Sequence, residues 1–365
     1  MRSASVITLL FSVACQGCSG LDPAGGLDPT SHAAAPRSSA SHSKQAAAPP
    51  SDDPSVFEAI ADVLASAPIG AKESICADSA MEDVEEFAGT DTIARGDVLG
   101  WQKSTLRLRV THKPLAEEIF RTEIAPNRPG ADKFSLGGFA GYAGKDSGIC
   151  TGTLIGGNIA LSAGHCVSRE HWDSEGLEFP SYERRGARVF LTSKEFAKLL
   201  VADFNRQLDL SPVAANTLAA YADRPYVTFT VRSLLAPDGE PQADLDYAIF
   251  RIAGSPEQIG EFALGANKVS YGGARLGTPL VVIQHPDGLY KKVSAGAAGP
   301  VTGRRLLHTA STAGGSSGSA VLDARGRIVA VHVEGGCAPM GGTANHALPL
   351  SRIRSDLSAA LAGRP

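Results

Sequence analysis

With 365 residues, 43% of them hydrophobic and 20% charged, the chain can bury a large core, and its length is compatible with two domains. The formal net charge of −4 leaves no basic footprint, which excludes nucleic acid and anionic membrane surfaces as electrostatic partners.

Residues 1–18, MRSASVITLLFSVACQGC, carry one early Arg, an apolar run from Val6 to Ala14 and then small residues. The run is too short to span a bilayer and has the form of a secretory signal peptide. Cys15 or Cys18 after small residues also resembles a bacterial lipoprotein processing site, although Ser12 stands three before Cys15 where such sites carry Leu. The expected location is therefore secreted, periplasmic or cell-surface, with a membrane tether through a lipidated Cys15 or Cys18 as an open alternative. The Cys15-x-x-Cys18 pair has no second pair to complete a metal site.

Residues 19–54 are Ala, Ser, Pro, Gly and His with hardly an aromatic, and predict a disordered tether in which His32 and His42 are solvated. Ser55 then caps a helical spacing of Val56, Phe57, Ile60, Val63 and Leu64 that Pro68 ends. The acidic segment 72–88 predicts a second helix, and Leu106, Leu108 and Val110 alternate with basic residues as in a strand. The block 55–130 is small for a domain, and is expected to be a pro-segment or an extension packed on the domain C-terminal to it.

From residue 131 to 365 the chain is glycine-punctuated with short apolar runs, which predicts an all-β barrel or sandwich. The exception is 192–208, where Thr192 and Glu195 form a capping box and Phe196, Leu199, Leu200, Phe204 and Leu208 share one helical face. Strand-like runs follow at 226–235, 246–252, 279–285, 300–308, 319–322 and 328–333, and an amphipathic segment from Leu350 to Leu361 closes the chain.

The segment 312–323, TAGGSSGSAVLD, leaves the Ser317 hydroxyl unshielded and lets the backbone turn sharply enough to aim N–H groups at one point. Gly314 to Gly318 also fits a G-x-S-x-G elbow with Ser316 as nucleophile, but that elbow needs a helix after it and here a β-hairpin is expected. Upstream stands Cys150-TGTLIGGNIALSAG-His165-Cys166. Jointly these motifs resemble the trypsin-like serine peptidases of the chymotrypsin fold over about 134–360, and QHPDG (284–288), HTASTAGGSSGSAVLD (308–323) and ALPLSRI look like the compact bacterial branch.

The resemblance implies two six-stranded antiparallel β-barrels with a catalytic cleft between them, beside an inserted helix, a C-terminal helix and a partly helical N-terminal extension. It implies Ser317 as nucleophile, His165 as general base and, from the Asp-x-Ala pattern, Asp246 in preference to Asp244 as the third partner, in the order His, Asp, Ser. The oxyanion would lie between the N–H groups of Gly315 and Ser317. It also implies a Cys150–Cys166 bridge across sixteen residues; cysteine arithmetic in an exported chain then leaves Cys76 for Cys337. The expected substrate is a peptide or protein, with no cofactor and no metal, acting as a monomer.

Two departures bear on activation and specificity. Ser316 replaces the Asp that pairs with a newly cut N-terminus, and Ser311 replaces the Asp that selects Lys or Arg. Glutamyl endopeptidases are similar at two places, with a His fifteen residues after the nucleophile and a Thr five before it, where His332 and Thr312 stand. Ser311, Thr312 and His332 are thus the expected substrate-binding residues, with cleavage after Glu as one expectation and a preference for small or mixed side chains as the other. His112 and His171 are expected to be exposed, and His285 and His308 to be packing residues. The competing functions are an inactive homologue serving as a binding module and an esterase acting through Ser316.

Overall fold

The computed structural model describes residues 76, 80–143, 148–209, 222–223, 226–235, 245–265, 268–337 and 343–363. The signal segment, the tether and the helix expected after Ser55 lie outside the described residues. Among the described residues no helix is long and apolar enough to cross a membrane.

The order begins with β1 (Glu82–Asp83), α1 (Arg95–Trp101), β2 (Thr105–Val110), α2 (Lys113–Ile119), β3 (Ala131–Ser135), β4 (Cys150–Gly156) and β5 (Ile159–Ser162). It continues through α3 (Arg169–Ser174), β6 (Ser181–Arg184), β7 (Ala187–Phe190), α4 (Ser193–Ala197), β8 (Leu200–Phe204), β9 (Leu208–Asp209), β10 (Ala222–Asp223), β11 (Val227–Leu234), β12 (Ala248–Ile252) and α5 (Pro256–Ile259). The last part holds β13 (Pro279–Gln284), β14 (Lys292–Thr302), β15 (Arg305–His308), β16 (Ala320–Asp323), β17 (Ile328–Glu334), β18 (Asn345–Pro349) and α6 (Arg354–Leu361).

The first barrel closes in the order β11-β12-β5-β4-β2-β8, all antiparallel. The second runs β14-β13-β16-β17-β18-β15 and closes by β14 pairing with β15, so the two expected six-stranded barrels are present. Long β14 serves both neighbours because its register shifts between Ala298 and Val301, letting it bend from β13 onto β15. The β12–β5 ladder sets Ala248 opposite Ser162, which brings the segments around Asp246 and His165 to one rim.

Four expectations are corrected. The division at residue 131 falls beyond a barrel strand, because β2 lies between β4 and β8 and supplies buried Leu106, Leu108 and Val110 to the core. The acidic stretch is no helix where it is described: β1 pairs with β14, and Asp83 meets Lys292 at 3.0 Å while Val84 and Phe87 are buried. The capping box at Thr192 and Glu195 forms, but α4 lasts only to Ala197, and Leu200–Phe204 is β8. A barrel strand can be buried on successive residues, and barrel closure between β2 and β11 overrides the helical spacing. The run 300–308 is not one strand but the end of β14, a turn at 303–304 and then β15, with Gly303 at φ +59°. The C-terminal segment is helical, with Leu357 and Ala360 buried.

Cys150 is joined to Cys166, and Cys76 to Cys337 across 261 residues of sequence. The second bridge fastens the chain before β1 to the loop after β17. Apolar side chains buried in these cores each contribute about 1.5–3 kcal/mol relative to exposure, but the first barrel also buries an ionic group. Arg107 is wholly buried on Asp203, with Nη2 2.7 Å and Nε 3.1 Å from Oδ2, and Arg109 Nε and Thr228 Oγ1 donate to the same carboxylate at 3.0 and 2.7 Å.

Candidate active site

His165 opens a short 3-10 turn directly after β5. Its main-chain N–H donates to Asp246 Oδ1 at 2.8 Å, and its Nδ1 lies 3.1 and 3.0 Å from Oδ1 and Oδ2. Asp246 stands just before β12 at φ +52°, a left-handed conformation that a non-glycine residue adopts at a cost, and here it turns the carboxylate onto the histidine. Burial alone would lift that carboxyl; the adjacent imidazole and its hydrogen bonds outweigh burial and hold it down at about 2. An ionised carboxylate on Nδ1 favours the tautomer that leaves Nε2 as an acceptor. The alternative, Asp244, lies outside the described residues.

Ser317 and His165 line one cavity of about 380 Å³. Among the described residues the Ser317 side chain makes no hydrogen bond, so the serine and imidazole are gathered in one cavity without a direct bond. Such contacts commonly tighten only when substrate is bound. Ser316 is placed otherwise: fully buried, it receives the Ala313 N–H on Oγ at 3.1 Å. With β16 following instead of a helix, the elbow geometry for Ser316 is not met.

The Gly314–Ser317 backbone is held from the first barrel. Thr151 Oγ1 donates to the Gly315 carbonyl at 2.8 Å and receives the His285 N–H at 2.9 Å, while Thr151 N–H donates to the Ser317 carbonyl at 2.9 Å. The Gly314 carbonyl accepts from Asp287 N–H at 2.6 Å, and the Ser316 carbonyl from Ser319 N–H at 3.0 Å. Because N–H and C=O point oppositely across a trans peptide, these acceptors turn the Gly315 and Ser317 N–H groups the other way. Among the described residues neither N–H has another acceptor. Gly315 is at φ +81°, and a Cβ there would lie 2.6 Å from Gly288 N, so this turn requires glycine.

The expected substrate-binding residues divide. Thr312 and His332 line the cavity. Thr312 Oγ1 accepts from Asn345 Nδ2 at 3.1 Å, leaving its own proton available. His332 Nδ1 is 3.2 Å from His308 Nε2, and burial, followed by the charges of His308 and His165, keeps His332 well below the ordinary imidazole range. Ser311 does not line the cavity: fully buried, it takes the Cys76 N–H on Oγ at 2.9 Å, so the segment bridged to Cys337 occupies it.

His112 caps α2 at an exposed position, while His285, just after β13, and His308, in β15, are buried. His171 corrects the expectation of exposure. Its ring packs 4.4 Å from that of His165, and burial together with the charge of His165 lowers it to about 4. Sequence spacing carries no sign of this contact, which arises because α3 comes directly after the His165 turn. Cys150, His165 and Cys166 bring possible ligand atoms within 4.8 Å, but the two sulfurs are bonded to each other.

No curated protein matches the chain. Residues 150–331, which carry His165, Asp246 and Ser317, match the family model of the trypsin-like peptidase domain. That match, on a fold of two closed six-stranded barrels, supports a trypsin-like serine peptidase.

Proposed function

We propose that the protein is a serine endopeptidase working through His165, Asp246 and Ser317. The observation that carries this reading is the His165–Asp246 pair opening on the same cavity as Ser317, beside two N–H groups turned from the scaffold. Ser317 Oγ attacks the scissile carbonyl as His165 Nε2 takes its proton, giving an oxyanion that the Gly315 and Ser317 N–H groups receive. Collapse of this intermediate breaks the C–N bond as His165 returns the proton to the leaving amine. Water, activated by the same imidazole, then hydrolyses the acyl-enzyme. Asp246 stays ionised throughout and stabilises the imidazolium.

Cleavage after Glu is the specificity we favour. In the tautomer whose His308 Nε2–H donates to His332 Nδ1, a neutral His332 offers its Nε2–H to the cavity, and the Thr312 hydroxyl supplies a second donor to a carboxylate. Two disulfides and the apolar leader support action outside the reducing cytoplasm. A quenched-peptide library tests both levels. Turnover lost in Ser317→Ala, with a preference for Glu that collapses in His332→Ala, is expected; efficient cleavage after Arg or large apolar residues overturns the specificity, and no turnover by folded protein overturns the activity.

A further inference from the structure

The cavity has a second wall that the proposed acyl side leaves unused. Thr312, His332 and the oxyanion donors all come from the second barrel, whereas Tyr142, Trp172 and Glu175 come from insertions in the first. Ring contacts join this wall to the imidazole. Tyr142 packs on Phe139 with centroids 6.3 Å apart, Phe139 on Trp172 at 5.3 Å, Trp172 on His171 at 5.0 Å and His171 on His165 at 4.4 Å. Trp172 is pinned by its Nε1–H on the Cys166 carbonyl at 3.2 Å, beside the disulfide. The wall is thus a fixed extension of the His165 turn.

Glu175 ends α3 on this wall, its N–H bonded to the His171 carbonyl at 3.1 Å and its side chain half-buried in the cavity. Two arginines of the same insertion are paired with other carboxylates, Arg169 with Asp173 and Arg188 with Glu178. Among the described residues Glu175 has no ion pair, and no Lys or Arg lines the cavity. His171, kept uncharged by burial, does not neutralise it at neutral pH. A half-desolvated carboxylate bordered by aromatic rings favours a cation on an apolar stem, since the rings cover the stem and attract the charge.

We propose that Glu175, with Trp172 and Tyr142, forms a leaving-group-side subsite that takes a lysine or arginine side chain of the substrate. The side follows from the chemistry, and here the inference rests on the serine peptidase reading. The acyl half stays on Ser317 against the second barrel, while His165 hands its proton to the departing nitrogen, so the residues after the scissile bond run onto the wall attached to the imidazole. Selection on the two sides is then set by different barrels.

The test uses the full chain and quenched peptides with one acyl half and Lys, norleucine or Glu at each of the first two leaving-group positions. The expected kcat/KM at one of these positions is about tenfold higher for Lys than for norleucine and lowest for Glu, and added salt narrows the Lys advantage. In Glu175→Gln the Lys-to-norleucine ratio falls to near one, and Glu175→Lys inverts the order of Lys and Glu. Equal rates for Lys and norleucine in the unmodified protein, or an unchanged ratio in Glu175→Gln, overturn the subsite. If no peptide turns over, the peptidase reading fails, and the subsite is decided by calorimetry of Lys-Ala and norleucine-Ala amides on Ser317→Ala. Tighter binding of the Lys amide, lost on adding Glu175→Gln, upholds it; equal binding overturns it.

Discussion

The two barrels reach the same closure by different routes. The strands of the second succeed one another from β13 to β18, while those of the first are spread from β2 to β12 around two long insertions. The second barrel supplies Ser317 and the N–H groups of Gly315 and Ser317; the first supplies His165, Asp246 and, through its insertions, the wall bearing Glu175. Their buried polar groups differ too, since β2 and β8 of the first hold Arg107, Arg109 and Asp203 in one buried ionic group on the strand face opposite Leu106 and Leu108. The site needs both, and among the contacts that register them are the bonds of Thr151 in the first barrel to Gly315 and Ser317 of the second. The interrupted barrel therefore depends on distant sequence for closure, whereas the uninterrupted one depends on its neighbour for the orientation of its loop.

The largest effect expected from this contrast is on folding. A chain beginning at residue 131 lacks β2, and the first barrel cannot close; such a fragment is expected to show no cooperative unfolding transition. A cooperative transition in that fragment would mean that β2 is dispensable. Next, Asp203→Ala leaves two arginines without their carboxylate, and a loss of about 3–5 kcal/mol is expected in urea unfolding because an uncompensated buried charge is left behind. The Asp203 carboxyl, raised by burial but lowered more by Arg109 and Arg107, is held below its ordinary value. A loss under about 1 kcal/mol would show that the pair adds nothing to closure.

A smaller effect is expected where the barrels meet. Thr151→Val keeps the shape but removes the hydroxyl from Gly315, and kcat is expected to fall about tenfold, or ~1.4 kcal/mol of barrier, with KM little changed and Thr151→Ser restoring it. An unchanged kcat would show that the loop orients itself.

The gentlest probe is pH. Asp246, held at about 2 against an ordinary 3.8, contributes stability above the ordinary value that is lost as pH falls through about 2. His171, at about 4, and His308, lowered by burial and the charge of His346 to about 3, both start from 6.5. The unfolded chain therefore takes up these protons first, and stability declines as pH drops below about 6.5. All three act in one direction, so the melting temperature is expected to fall continuously from about pH 6.5 toward about pH 2; a constant value between about pH 7 and about pH 4 would contradict the burial of the histidines.

Legibility divides the same way. In the second barrel the apolar runs at 279–285, 319–322 and 328–333 correspond to strands because consecutive hairpins keep each run beside its partner. In the first, Leu200–Phe204 reads as the end of a helix because its burial on successive residues comes from strands distant in sequence. Leu106–Val110 reads as a strand, but nothing local assigns it to a barrel whose next strand begins at Cys150. The site behaves likewise. His165 and Ser317 stand in compact motifs, whereas the packing of His171 on His165 and the occupation of Ser311 by Cys76 exist only once separate segments meet.

In the proposed mechanism Ser317 is a nucleophile activated by His165. That activation is tested most directly by incubating the folded protein with a fluorophosphonate probe and mapping the adduct by mass spectrometry. Stoichiometric labelling of Ser317 that disappears in His165→Ala is the predicted result; no adduct on folded protein, or an adduct on Ser316, would contradict it.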